Sequence, residues 1–159
     1  MSLFADGRYQ WRETYFVLFD RKHQPTAAEA VKAIGELSKV QVVDTQAGEA
    51  GLLESMTVIS HVDASGMDIT LVTGEEVKEQ LLELKKDWKG QCFAPDEQAK
   101  IERALTANAR YDIYHFEEVG DTFGEDEEAL DPATLLLVLS RLAKLCHGVG
   151  VDPQAGAVV

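Results

Sequence analysis

The sequence is poor in the side chains that usually hold metals or form disulfide frameworks. Its 159 residues include two cysteines, Cys92 and Cys146, and four histidines. The cysteines lie far apart and outside any CxxC motif, and no two histidines have the spacing of helical metal ligands. We therefore expect no disulfide framework, no metal site and no cofactor. Cys146 lies in an apolar helix and is expected to be buried, whereas Cys92 is expected to be exposed in a loop.

Long apolar segments are missing as well. No segment approaches the ~20 consecutive apolar residues of a membrane-spanning helix, and the N-terminus lacks the apolar core of a signal peptide. We therefore expect a cytoplasmic protein that does not bind membranes. Residues 1–3 resemble an expression-vector start, and residues 1–8 are expected to be flexible or vector-derived.

Basic residues are in the minority. Lys and Arg number 15 against 28 Asp and Glu, so the formal net charge is −13 at pH 7. Because this charge repels the phosphates of nucleic acids and of anionic lipids, we expect neither as a partner. The expected partner is a basic or neutral protein, or a second copy of this chain.

Much of the acidity falls in one segment. Residues 117–131 contain eight acidic residues and no Lys or Arg, and we interpret them as an acidic loop. These acids do not alternate as they do in a calcium-binding loop. A docking surface for a basic partner is therefore favoured over a metal site.

Common nucleotide-binding and nucleophile motifs are also missing. The patterns G-x-G-x-x-G, G-x-x-x-x-G-K-[ST] and G-x-S-x-G do not occur. The sequence therefore assigns no catalytic and no cofactor-binding residue.

Hydrophobic periodicity predicts interleaved strands and helices. The run Tyr15–Phe19 is apolar on both alternating faces, as expected of a central strand covered on both sides. The other predicted elements are a helix from Pro25, a strand at 40–43, a hairpin of strands 55–62 and 67–73 with its turn at 63–66, helices starting near Thr73 and Pro95, a strand at 111–117, a helix at 135–146 and a strand from Val149.

Two helix starts carry the capping-box spacing. In the pairs Thr26 with Glu29 and Thr73 with Glu76, the threonine side chain would cap the helix and the glutamate would reach back to it. The sequence therefore predicts Thr26 and Thr73 as N-caps.

The last predicted helix is apolar on nearly every side. The exception is a polar stripe formed by Ser140, Arg141, Lys144 and His147. We interpret His147 as a cation that complements the C-terminal end of the helix dipole, and we expect Gly148 to end the helix.

This order of elements predicts a single α+β domain over residues 1–159. The first strand, helix and strand suggest a ferredoxin-like split βαβ sheet with helices on one face, followed by an additional C-terminal helix and strand. A sheet covered by helices on both faces is the competing arrangement.

The favoured function is a non-catalytic protein-binding or self-associating module. Trp11, which stands beside charged residues, and Leu137, at the edge of the polar stripe, are expected to be partly exposed and to anchor an interface. The predicted interaction surface also includes Glu125, Asp126, Glu127 and Glu128.

The alternative function is a small-ligand binder or an enzyme whose site forms only in the fold. Its candidate residues lie on predicted sheet surfaces, namely His61, Asp68, Thr70 and His115. Asp112 cannot form an acid–base dyad with His115 within the strand, because residues three apart point to opposite faces. A pocket that gathers two of these groups would favour this alternative.

Overall fold

A computed structural model describes Phe4, residues 7–118 and residues 133–159. The described part contains seven strands and four helices, which confirms the α+β class. The strands are β1 Tyr9–Phe19, β2 Gln41–Ala47, β3 Leu53–Ser60, β4 Ser65–Thr73, β5 Ala109–Glu118, β6 Val149–Asp152 and β7 Ala157–Val158, and the helices are α1 Ala27–Gly35, α2 Glu75–Trp88, α3 Pro95–Leu105 and α4 Ala133–Leu145.

The seven strands form one sheet in the order β2-β3-β4-β5-β1-β6-β7, and every neighbouring pair is antiparallel. β1, the first strand in the chain, therefore lies inside the sheet between β5 and β6. Its last residues are buried on both faces, with Val17 and Phe19 on one face and Leu18 on the other. The central position predicted from the apolar run is confirmed.

The connection around α1 differs from the prediction. β1 and β2 run parallel, but β5, β4 and β3 lie between them, whereas a split βαβ unit has a single strand there. A unit with one intervening strand occurs instead at β5, α4 and β6, with β1 in the middle. The predicted split unit is wrong because β5 and the β3–β4 hairpin separate β1 from β2, an order that no local pattern specifies.

Helices cover both faces of the sheet, two on each. The α1/α4 face packs Ile34 and Leu142 against Val17, while the α2/α3 face packs Trp88 against Leu18. The predicted placement of helices on one face is therefore wrong. Hydrophobic periodicity identifies the buried stripe of a helix, but it does not report which side of the sheet the stripe meets.

The β3–β4 hairpin is confirmed, but its turn lies two residues earlier than predicted. Ser60 pairs with Ser65, so the connection consists of residues 61–64. Ser65 and Gly66 resemble turn residues in the sequence, yet both belong to β4 and are buried.

Phe4, the first described residue, packs against aromatic side chains of β1 and β5. Its ring stacks on Phe116 and meets Tyr9 edge-on, with both centroid distances at 4.8 Å. It also lies over Gly66, where a Cβ atom would come within 2.3 Å of the ring. Gly66 thus makes room for the side chain of Phe4. That residues 1–8 are flexible or vector-derived stays a prediction.

The two predicted capping boxes have different outcomes. At α1 the box is confirmed, because the hydroxyl of Thr26 accepts from the N–H of Glu29 at 3.1 Å and the glutamate accepts from the N–H of Thr26 at 3.2 Å. At α2 the prediction is wrong. Thr73 remains in β4, paired with Ala109, and Gly74 is the N-cap, without a side-chain hydrogen bond.

Glu117 and Glu118, the first two residues of the predicted acidic loop, belong to β5 instead. Residues 119–131 of that segment lie outside the described residues. None of the helices in the described part of the chain combines the length and the apolar content that crossing a bilayer would require.

Candidate ligand site

The fold does not bring together the four residues predicted for a ligand site on the sheet. Asp68 and Thr70 lie on the α2/α3 face of β4. His115 lies on the α1/α4 face, because its neighbour Tyr114 is the residue that pairs with Asp68 and side chains alternate along a strand. His61 is exposed in the connection between β3 and β4.

His115 has a partner that sequence spacing does not reveal. Its Nδ1 lies 3.1 Å from Oε1 of Glu13, which stands 102 residues earlier in the chain. Glu13 meets this histidine because the register of β1 shifts after Trp11, as it does at a β-bulge. Since His115 is 1% exposed, we interpret the contact as structural.

A second buried polar cluster lies on the α2/α3 face. Nε of Arg110 donates to Oδ1 of Asp112 at 2.7 Å, and the hydroxyl of Tyr114 donates to the other carboxylate oxygen at 3.3 Å. Burial raises the pKa of Asp112, and the guanidinium of Arg110 opposes this rise without cancelling it. The guanidinium also packs over the ring of Phe16, 4.7 Å from its centroid. Arg110 and Asp112 are both buried, so we interpret this cluster as structural.

The two apolar residues of the predicted interaction surface are exposed, as expected. The exposed fraction is 52% for both Trp11 and Leu137. They do not share one surface, because Trp11 pairs with Phe116 on the α2/α3 face and Leu137 lies on α4, across the sheet. The acidic residues 125–128 lie outside the described residues.

A cavity of about 590 Å³ lies at the edge of the sheet beside β6. One wall is formed by α4. The other is formed by α3, which packs on the opposite face of the sheet. β7 pairs with Val151 and Asp152, and the preceding residues of β6 face the cavity. The lining residues are Leu136, Leu139, Ser140, Ala143, Lys144 and His147 of α4 and its end, Lys100 and Arg103 of α3, Gly148, Val149 and Gly150 of β6 and its start, and Val159.

The polar stripe of α4 divides between this cavity and α1. Ser140, Lys144 and His147 line the cavity, whereas Arg141 pairs with Glu36 at the end of α1 at 3.2 Å. The stripe was the sequence signal for this wall. The facing residues on α3 carried no comparable signal, because they reach the cavity only through the tertiary fold.

The end of α4 positions His147 in an uncommon backbone conformation. Its φ is +52°, and the N–H of Gly148 donates to the carbonyl of Ala143 at 2.8 Å, as in a Schellman motif. The left-handed residue of this motif is usually glycine. The next residue, Gly148, is a glycine for a different reason. A Cβ there would lie 2.8 Å from the carbonyl oxygen of Leu18, which is too close.

A second histidine stands beside His147. The imidazole ring of His23, in the short 3₁₀ turn after β1, lies 4.6 Å from that of His147 between centroids. In the described part of the chain, no group of three or more His, Cys, Asp or Glu side chains is arranged to hold a metal ion.

The two cysteines are placed as predicted, with Cys146 buried and Cys92 exposed. The thiol of Cys146 donates to the carbonyl of Leu142 at 3.2 Å. Burial raises the pKa of this thiol to about 12, so it stays protonated at neutral pH.

Comparison of the chain with family models, with curated proteins and with solved structures finds no match. The cavity and its lining residues are therefore the basis on which a function can be assigned.

Proposed function

We propose that this protein is a binding module and that its ligand site is the cavity between α3 and α4. The observation that carries the proposal is the cavity itself, with its volume of about 590 Å³. Small-molecule sites typically enclose about 300–1,000 Å³ and combine an apolar lining with a few polar groups. Leu136, Leu139 and Val149 supply the apolar part, and Ser140 supplies a hydroxyl.

The conformation of His147 supports this assignment. A left-handed residue other than glycine is destabilised by roughly 1–2 kcal/mol, and such residues cluster at functional sites. In the described part of the chain, Ala50, Ala64 and His147 are the non-glycine residues with a positive φ, and of these His147 lines the cavity. A binding role for the imidazole explains why glycine does not occupy the position.

The proposal is tested with 1-octanol, an uncharged probe, followed through the backbone amide signals of the protein in solution by NMR. We expect saturable shifts concentrated at Gly148, Val149 and Gly150. Ser140→Phe, which places a ring at the cavity mouth from an exposed position of α4, should abolish them.

The matched control is Ala28→Phe, which adds the same ring at an exposed position of α1 away from the cavity. It should leave the octanol shifts unchanged. Equal responses of the two variants, or shifts scattered over the whole surface, would contradict the cavity as the site.

The protein partner inferred from the sequence stays a prediction. A basic or neutral protein, or a second copy of the chain, would use the exposed side chain of Trp11 or that of Leu137 as an anchor. Light scattering at high concentration tests the second copy, and a monomer would exclude it. The cytoplasmic location likewise stays a prediction.

A further inference from the structure

We infer that the ligand of the cavity is a single-chain anionic amphiphile, with one carboxylate or phosphate head and an aliphatic tail. This inference rests on the proposed function, which requires that the cavity binds a ligand. It adds the charge and the apolar character of that ligand, both of which follow from the side chains along the walls.

The charge of the cavity is opposite to that of the chain. Among the described residues, the ionisable side chains on the walls are Lys100, Arg103, Lys144 and His147, all of them basic. The whole chain carries −13. The described walls of the cavity therefore carry positive charge, which would attract an anion.

Three of these basic residues have no carboxylate partner within the described ranges. Lys100, Arg103 and Lys144 form no ion pair there. Other lysines of the described part, such as Lys32 and Lys85, also form no ion pair, so this feature alone does not single out the cavity. The position of three basic residues on the walls of one cavity, where no described carboxylate pairs with them, favours an external anion as their partner.

The helix dipole gives a competing explanation for part of this pattern. Arg103 lies in the last turn of α3, and Lys144 and His147 lie at the end of α4, where cations are stabilised by the C-terminal end of a helix. Lys100 lies in the middle of α3 and is half-buried. The dipole does not account for its position.

The apolar residues specify the rest of the ligand. Leu136, Leu139, Ala143 and Val149 line the same space as the basic side chains, so an anion without an apolar part would leave this surface unused. A small inorganic anion therefore matches the basic side chains but not the apolar ones. An aliphatic chain with an anionic head matches both.

The test compares three probes with the same eight-carbon chain: octanoate and octylammonium, each below its critical micelle concentration, and 1-octanol below its solubility limit. Inorganic phosphate alone is the fourth. Affinities are measured by the amide NMR titration at pH 7. We expect octanoate to bind about tenfold or more tightly than octanol, since a charge-assisted hydrogen bond contributes that much, and octylammonium to bind most weakly.

Single substitutions then test which basic side chains bind the anionic head. Lys144→Gln and Lys100→Gln should each remove most of the advantage of octanoate over octanol. Lys85→Gln, a matched change at an exposed position of α2 outside the cavity, should preserve the advantage.

The outcomes separate this inference from the proposed function. If octanol and octanoate bind equally in the cavity, the inference that the ligand has an anionic head is wrong, while the proposal that the cavity is a binding site is unaffected. If phosphate alone binds as tightly as octanoate, the inference that the ligand has an aliphatic tail is wrong. If no probe binds in the cavity, the proposed function and this inference are both overturned.

Discussion

Glu13 and the buried His115 form a contact across the β1–β5 pair, with the carboxylate 3.1 Å from Nδ1 of the imidazole. The contact depends on the register shift in β1, which places Glu13 opposite the histidine. It satisfies a polar nitrogen inside the fold, where an unpaired group is strongly unfavourable.

Replacing Glu13 should therefore destabilise the protein measurably. We expect Glu13→Ala to lower the free energy of unfolding by about 1–3 kcal/mol, since it leaves a ring nitrogen of His115 unpaired inside the protein. Glu36→Ala, which breaks the exposed pair with Arg141, should have an effect of about 1 kcal/mol or less. Urea denaturation measures both, and equal losses would contradict the structural role of the contact with His115.

The two threonines predicted as N-caps should respond differently to the same substitution. Thr26→Ala removes the capping hydrogen bond of α1 and should destabilise the protein by about 1 kcal/mol. Thr73→Ala should have a smaller effect, because the N-cap of α2 is Gly74. Thermal unfolding of the two variants compares them, and a larger loss for Thr73→Ala would contradict the structure at α2.

Thiol labelling should distinguish the two cysteines. At pH 8 we expect one rapidly reacting thiol per native chain and two in guanidinium chloride, because Cys92 is exposed and the pKa of buried Cys146 is raised to about 12. Cys92→Ser should abolish the rapid phase, and Cys146→Ser should preserve it. Rapid labelling of the Cys92→Ser protein would show that Cys146 is accessible.

Because the backbone of His147 is strained, we expect its replacement by glycine to stabilise the protein and to weaken ligand binding. His147→Gly should raise the free energy of unfolding by about 1 kcal/mol, since glycine adopts a φ of +52° without a steric penalty. His147→Ala is the matched control, because it removes the imidazole and keeps the Cβ, and it should give no such gain. Both variants should bind octanoate more weakly. Equal stability of the two variants would contradict the left-handed conformation.

Much of the local structure could be predicted from residue patterns. The strand through Tyr15–Phe19, the capped start of α1 and the β3–β4 hairpin follow from signals within a few residues of one another. The turn of the hairpin was misplaced because Gly66 has the composition of a turn residue, while in the fold its small size accommodates Phe4. Such a contact depends on a segment far away in the sequence.

The sequence did not predict the candidate site. Ser140, Lys144 and His147, in one wall of the cavity, stand out as polar positions on an apolar helix. The residues predicted for a ligand site were different ones, namely His61, Asp68, Thr70 and His115. The other wall contains Lys100 and Arg103, on a helix that packs against the opposite face of the sheet. Which face a helix covers depends on the long connections of the chain, so periodicity could not place these walls together.

The central position of β1 also bears on how the protein is made. β1 ends at Phe19, and its first partner strand begins 90 residues later, at Ala109. At a synthesis rate of ~5–20 residues per second, a ribosome needs roughly 5–20 s to cover that distance. During this interval the apolar run Tyr15–Phe19 has left the ribosome without either neighbouring strand. The nascent chain therefore exposes an aggregation-prone apolar segment until its last third emerges. Protection by a chaperone is valuable at that stage.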